Sequence, residues 1–152
     1  MTIRPYRAED WARLCAIHDA ARLEELQAAG LPDAFLPLPI AAEREGLFDY
    51  RVQVAECDGQ VLGFVADDGE ELAWLYVDPT ARRRGIGRAL VTAVQDASPA
   101  GLTLELLDGN ATALAFYRAC GFVETGLQHG RMPGNEAFAV RVQCMRWPGV
   151  AL

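Results

Sequence analysis

The stretch Val77-Asp78-Pro79-Thr80-Ala81-Arg82-Arg83-Arg84-Gly85-Ile86-Gly87-Arg88-Ala89-Leu90 decides how this chain is read. Ahead of it, Glu71-Leu72-Ala73-Trp74-Leu75-Tyr76-Val77 is almost unbroken apolar sequence, the pattern of a strand covered on both faces. Behind it, Ile86, Ala89, Leu90, Ala93, Val94 and Ala97 recur at the spacing of one helical face. Gly85 and Gly87 stand where the strand and turn become that helix, and neither carries a side chain that would block approach to the backbone. The first amides of a helix lack intrahelical acceptors and lie at the positive end of its dipole, so this junction suits an anion. Arg82, Arg83, Arg84 and Arg88 add forked donors, with no acidic residue between Pro79 and Gln95. A dinucleotide fingerprint would need glycine where Leu90 stands, and a Walker-type loop would need a lysine, which the chain lacks.

Working outward, Thr2 to Tyr6 reads as an opening edge strand, and Asp10 as the cap of a helix through about Ala29 that ends at Gly30 and Pro32. Leu31 to Ile40 holds three prolines among large apolar residues and reads as a packed loop, followed by a short helix over about Ala41–Phe48. Arg51–Glu56 and Val61–Ala66 flank Asp58-Gly59, a hairpin signal. Leu102–Leu107 is a further strand, Asn110 caps a helix over Ala111–Cys120 stopped by Gly121, and strands over about Phe122–Gln128 and Phe138–Trp147 close the pattern. Together these predict one mixed α/β domain over residues 1–152.

Composition excludes several classes. The 152 residues carry 14 basic and 21 acidic side chains for a net charge of -7, and every basic residue is arginine. Schiff-base chemistry lacks its lysine, and an acidic chain is a poor partner for nucleic acid. No apolar run approaches the roughly 20 residues of a membrane span, and Arg4, Arg7, Glu9 and Asp10 break any leader-like segment. Cys15, Cys57, Cys120 and Cys144 are scattered, with two histidines in the chain, which argues against a metal site and for reduced thiols in a cytoplasmic protein. The lone serine, Ser98, suits a turn rather than a nucleophile.

With these residues in view, the chain resembles the GNAT superfamily of acetyl-CoA-dependent N-acetyltransferases. The family signature, V-x-P followed by Q/R-x-x-G-x-G/A, matches Val77-Asp78-Pro79 and Arg82 to Gly87. A second family block matches Asn110, Ala113, Phe116, Tyr117, Gly121 and Phe122, and Ile3-Arg4-Pro5 with Asp10 is similar to a family opening. The resemblance spans roughly Ile3 to Trp147. It implies an α/β (α+β) fold with a mixed, mostly antiparallel sheet of six to seven strands flanked by about four helices. It also implies acetyl-CoA as co-substrate without a metal, a primary amine of a small molecule, peptide or protein as acceptor, and homodimer formation in some members. A binding-only acyl-CoA sensor is the alternative on the same fold.

Residue by residue, the resemblance assigns the coenzyme A diphosphate to Arg82, Arg83, Arg84, Gly85, Ile86 and Gly87 with Arg88 beside them. The pantetheine arm falls to the main chain of Leu75, Tyr76 and Val77, and Asn110, Phe116 and Tyr117 line the opposite side. Tyr117 matches the family's general acid toward the departing sulfur. For the base, Glu71 stands fourteen positions before Gly85 and Glu105 twelve before Tyr117, each matching a glutamate proposed as base in part of the family. Water-mediated deprotonation stays open beside both. Acceptor recognition is expected from the Leu31–Ile40 loop, the first helices and the loop Gln128–Gly134, which contains His129.

Overall fold

A computed structural model describes residues 1–150. In chain order its main elements are β1 (Thr2–Pro5), α1 (Trp11–Ala28), α2 (Leu38–Glu45), β2 (Arg51–Cys57), β3 (Gln60–Asp67), β4 (Leu72–Val77), α3 (Ile86–Asp96), β5 (Leu102–Leu107), α4 (Ala111–Ala119), β6 (Val123–Met132) and β7 (Asn135–Trp147). The strands form two antiparallel sheets, ordered β1-β2-β3-β4 and β5-β7-β6. The one strand-type link between the sheets among the described residues is a parallel bridge from Glu71 to Thr103. Beyond that bridge β4 and β5 part, and the far edge of β4 has no strand partner. That parting is the feature on which the site depends.

Both faces of the first sheet are covered. Val54, Phe64 and Trp74 pack with Leu14, Ile17 and Leu38 of α1 and α2, while Ala55, Val65 and Leu72 pack with Ile86, Leu90 and Val94 of α3. This two-sided burial leaves every residue of β3 after Gln60 buried. In β4, Leu72 and Trp74 are buried but Leu75, Tyr76 and Val77 are half-buried, because the strand's second half faces the gap. Gly63 lets α3 lie close to the sheet: a Cβ there would stand 3.0 Å from the Tyr76 carbonyl oxygen and 3.1 Å from both Ile86 Cγ2 and Leu90 Cδ1. Gly63→Val should therefore lose about 2 kcal/mol, or roughly 4–8 °C in melting temperature, which thermal denaturation reads directly. An unchanged melting point would mean that α3 does not need this close approach.

Three local expectations need correction. Asp10 stands at the N-cap position of α1 but its side chain does not cap the helix; the carboxylate takes the Arg7 amide at 2.8 Å and the Arg4 guanidinium at 2.8 and 2.9 Å. Arg4 thereby holds the Asp10 carboxyl below the usual carboxylate range, and the ion pair fastens β1 to the start of α1. The proline-rich segment is only partly loop. A 3-10 turn covers Pro32–Ala34, and α2 begins at Leu38 with a proline in its first turn, where the missing amide costs nothing. Gln128–Gly134 is also only partly loop, since β6 runs to Met132 paired with β7 and only Pro133 and Gly134 form the turn.

Candidate active site

The junction at the end of β4 is fixed by its own side chains. The Asp78 amide donates to the Leu62 carbonyl at 2.8 Å, and the Asp78 carboxylate accepts from the Thr80 amide and from Arg13 Nη2, both at 2.9 Å. Arg13 also donates to the Val61 carbonyl, so α1, the β3 start and the turn are tied at one point. The chain then passes through two left-handed residues, Arg83 at φ 65° and Gly85 at φ 76°, before α3 starts. A non-glycine residue in this region is uncommon, and here it turns the backbone so that α3 begins with its amides toward the gap. Nothing lies within 4 Å of a Cβ built at Gly85, whereas one at Gly87 would press on Phe116 Cζ at 3.2 Å. Gly87 therefore lets the ring of α4 rest on the first turn of α3. An open backbone, free helix amides and exposed arginines make a cradle that fits an extended anion.

The gap between β4 and β5 opens into a cleft of about 1170 Å³. Its walls include Glu71, Leu75, Tyr76, Val77, Arg82, Arg83, Gly85, Ile86, Gly87, Arg88, Glu105, Asn110, Phe116 and Tyr117. Of the residues expected to bind acetyl-CoA or act in catalysis, only Arg84 lies off the cleft wall, and it is exposed. Asn110 caps α4 by accepting the Ala113 amide at 3.1 Å, which sets the helix that carries Phe116 and Tyr117. The two rings meet edge to face at 5.1 Å, and Tyr117 meets Phe122 at 5.7 Å. The Tyr117 hydroxyl has no hydrogen-bond partner among the described residues and is not a buried orphan, so it is presented to the cleft. Burial, with Glu25 and Tyr76 nearby, raises its pKa above the phenol value and keeps it protonated.

The two glutamates expected near the chemistry differ. Glu71 is half-buried and accepts from the Tyr50 hydroxyl at 3.2 Å, whereas Glu105 is exposed on β5. Alternation along β5 buries Leu102 and Leu104 and turns Glu105 the other way, so its leucine neighbours in sequence do not bury it. His129 is also exposed, on β6, and does not reach the cleft.

A second group of charges lines the cleft and was not singled out by sequence reading: Arg22 and Glu25 from α1, Glu45 from α2 and Glu136 from β7. A signal for three of them does exist. His18, Arg22 and Glu25 follow one helical face of α1, and Glu45 continues the buried series Leu38, Ala41 and Ala42 of α2. Ionisable residues on the inward face of a helix need a partner or a purpose. Arg22 donates to Glu25 and contacts Met132 Sδ at 3.6 Å. Tyr76 lies among Arg22, Glu25 and Glu45, and its hydroxyl pKa is raised by burial and by the two carboxylates.

Comparison with known proteins places this architecture. Residues 48–124 match the family model for the acetyltransferase (GNAT) domain. The chain is 34% identical over 140 residues to a peptidyl-lysine N-acetyltransferase, YjaB, of Salmonella typhimurium, covering 83% of this chain and 86% of the relative. It is 49% identical over 70 residues to a peptidyl-lysine N-acetyltransferase, YiaC, of Escherichia coli, a match that spans 45% of this chain and 47% of the relative. A ribosomal-protein-alanine N-acetyltransferase of Brucella melitensis superposes with a TM-score of 0.70 at 26% identity, over 96% of this chain and 98% of that one. The anion cradle, the unpaired strand edge and the full-length likeness agree: the chain belongs to the GNAT family and is an N-acetyltransferase that uses acetyl-CoA.

Proposed function

We propose that this chain, acting as one domain, acetylates a primary amine that arrives as a cation, and that its acceptor is a peptide or protein amine. The observation that carries this reading is the acidic wall of the cleft, where Glu25 and Glu45 flank Arg22 and Glu136 adds a further carboxylate beside Glu45, in a chain already at -7. Such a wall draws ammonium groups in and repels anionic acceptors. The printed activities of the relatives YjaB and YiaC, both on peptidyl lysine, point the same way.

Acetyl-CoA supplies a thioester whose carbonyl carbon accepts an amine and whose sulfur departs. The chain's residues have three tasks. The amides of Gly85 to Gly87, with Arg82, Arg83 and Arg88, hold the diphosphate, and Arg84 adds charge from outside. The free edge of β4 at Leu75, Tyr76 and Val77 offers main-chain donors and acceptors to the pantetheine arm, while Asn110 and Phe116 close the other side. Tyr117 keeps its proton until the sulfur needs it. Glu71 and Glu105 remain proton acceptors to be weighed by substitution, with the exposure of Glu105 counting against it. Homodimer formation is supported by β6, an exposed edge strand that presents Val123 and Leu127 to solvent. A cytoplasmic location agrees with four free cysteines.

The experiment is product mass after incubation with acetyl-CoA and a panel of lysine peptides, peptides with free amino termini and small polyamines. Acetylated lysine or amino-terminal product is expected. Acetylation of a hydroxyl instead, or turnover of anionic small amines alone, would overturn the acceptor reading.

A further inference from the structure

Six glutamates line the cleft, and five of them are accounted for. Glu24 pairs with Arg82 at 2.6 Å, Glu25 holds Arg22, Glu71 accepts from Tyr50, Glu136 accepts the Gly134 amide at 3.2 Å, and Glu105 is open to water. Glu45 is the exception. It is half-buried, takes part in no ion pair, and has no hydrogen-bond donor within reach among the described residues. Its surroundings disfavour a charge in three independent ways. It is packed beneath the β6–β7 turn, where a Cβ built at Gly134 would stand 2.9 Å from Glu45 Cγ. It is the last residue of α2, at the negative end of the helix dipole. Glu136 repels it as well; Arg22, whose guanidinium Glu25 already engages, outweighs that repulsion but not the effect of burial.

A carboxylate kept where folding gains nothing from it, on the wall of the cleft, needs its donor from outside the chain. Its position suits one donor in particular. Tyr76 links the two: it lines the cleft with Glu45 and Tyr117, and the charge of Glu45 acts on its hydroxyl as that of Glu25 acts on Tyr117. Glu45 and Tyr117 line the same cleft, so an acceptor seated there can meet Glu45 on one wall and the proposed acid on another. From this we propose that Glu45 is the residue that receives the acceptor's ammonium group and takes its proton. This rests on the amine-acetylation reading above and deepens it. One proton passes from R–NH3+ to the Glu45 carboxylate, giving R–NH2 and the neutral acid. The nitrogen lone pair is then free to form the C–N bond as the C–S bond breaks. The departing sulfur takes the Tyr117 proton and leaves as the coenzyme A thiol. The second proton of the nitrogen passes through water to restore Tyr117, and Glu45 returns its own proton to water.

The groups facing Glu45 set the pH at which this operates. They are Arg22 with Glu25 and His18 on α1, Arg44 beside it on α2, Tyr76 on β4 and Glu136 on β7. Burial is the largest influence and pushes the Glu45 carboxyl up to about 7, with Arg22 lowering it and Glu136 raising it. A base with that value is half ionised near neutrality, the range in which general bases work best.

The test uses an acetyl-capped Gly-Lys-Gly peptide and a peptide with a free amino-terminal alanine, with the wild type, Glu45→Gln and Glu45→Asp. In the wild type, kcat/KM on the better peptide should rise with pH through a limb centred near 7. In Glu45→Gln it should fall roughly 10- to 100-fold at pH 7, lose that limb and instead climb with the fraction of free amine, with partial recovery in Glu45→Asp. Acetyl-CoA affinity, measured by calorimetry, should stay within about threefold in both variants. A second readout needs no acceptor. Because the folded pKa lies above the unfolded value of 4.5, ionised Glu45 destabilises the fold at pH 7, and that cost fades as pH falls toward 4.5. Glu45→Gln should therefore melt higher than wild type at pH 7, with the gap closing by pH 4.5. An unchanged pH–rate profile in Glu45→Gln, with acetyl-CoA still bound, would overturn the role of Glu45 alone. Failure of the wild type to bind acetyl-CoA would overturn the reading beneath it.

Discussion

Replacing Gly87 with aspartate is expected to reduce acetyl-CoA affinity by about 100-fold or more while leaving the protein folded. Gly87 is in the first turn of α3, so an aspartate there meets a helix N-terminus, which favours a negative charge, and replaces the poorest ordinary helix former. Folding stability should change by less than about 1 kcal/mol. The cradle is affected differently. The new Cβ would press on Phe116 at 3.2 Å, and the new carboxylate would occupy the helix amides and repel a diphosphate over a few ångströms. Loss of a charge-assisted anion site together with like-charge repulsion corresponds to about 3 kcal/mol or more. Gly87→Ala separates the two causes, because it keeps the contact with Phe116 and adds no charge; its loss should stay below about tenfold. Calorimetric titration with acetyl-CoA, beside a circular dichroism melt, checks both variants. Retained affinity in a folded Gly87→Asp protein would remove the turn at Arg82–Gly87 from cofactor binding.

This prediction was within reach of sequence alone, and the reason is physical. A cofactor cradle made of backbone shows itself through the residues that leave backbone bare, and Gly85 and Gly87 do so at a strand-to-helix junction marked by Pro79. The same holds for α3, whose buried Ile86, Leu90 and Val94 follow the helical spacing, and for the β2–β3 hairpin around Asp58-Gly59. What stayed hidden was built from distant parts of the chain. Arg22, Glu25, Glu45 and Glu136 come from three elements, and although the helical spacing places the first three on inward faces, only the packing of those elements brings all four to one cleft. The cleft between the strands ending at Val77 and Leu107 could be expected only through the family resemblance, because strand content does not say where a sheet stops pairing. The ends of α2 and β6 were misplaced where proline and glycine usually signal a break. At Pro39 the residue sits in a first helical turn, and at Gly130 the β7 partner supplies the hydrogen bonds that hold the strand.

Tyr117→Phe is expected to lower kcat by about 100- to 1,000-fold with acetyl-CoA affinity within about threefold of wild type. The substitution removes one oxygen and keeps the ring, so the edge-to-face contacts with Phe116 and Phe122 survive. The lost hydroxyl has no partner among the described residues, so the fold should not weaken and the melting temperature should hold. This separates two roles that share one position. A tyrosine present only as a core aromatic would leave kcat untouched when its unpaired oxygen is removed. A tyrosine that protonates the leaving sulfur would show the whole loss in kcat, because that interaction arises only as the C–S bond breaks. The pH dependence follows from the sign of its shift. Burial, Glu25 and Tyr76 raise the Tyr117 pKa, so the phenol stays protonated across neutral pH and on above the ordinary tyrosine range. Wild-type kcat should then hold its plateau above pH 7 up to pH 9, with no descending limb from Tyr117 in that interval. The limb near 7 belongs to Glu45, and it should persist in Tyr117→Phe at a reduced rate, since the two groups handle different protons at opposite ends of the reacting bond. Steady-state kinetics from pH 6 to 9 on both single variants read these outcomes together. A Tyr117→Phe enzyme with wild-type kcat would exclude the hydroxyl from the mechanism and leave sulfur protonation to water.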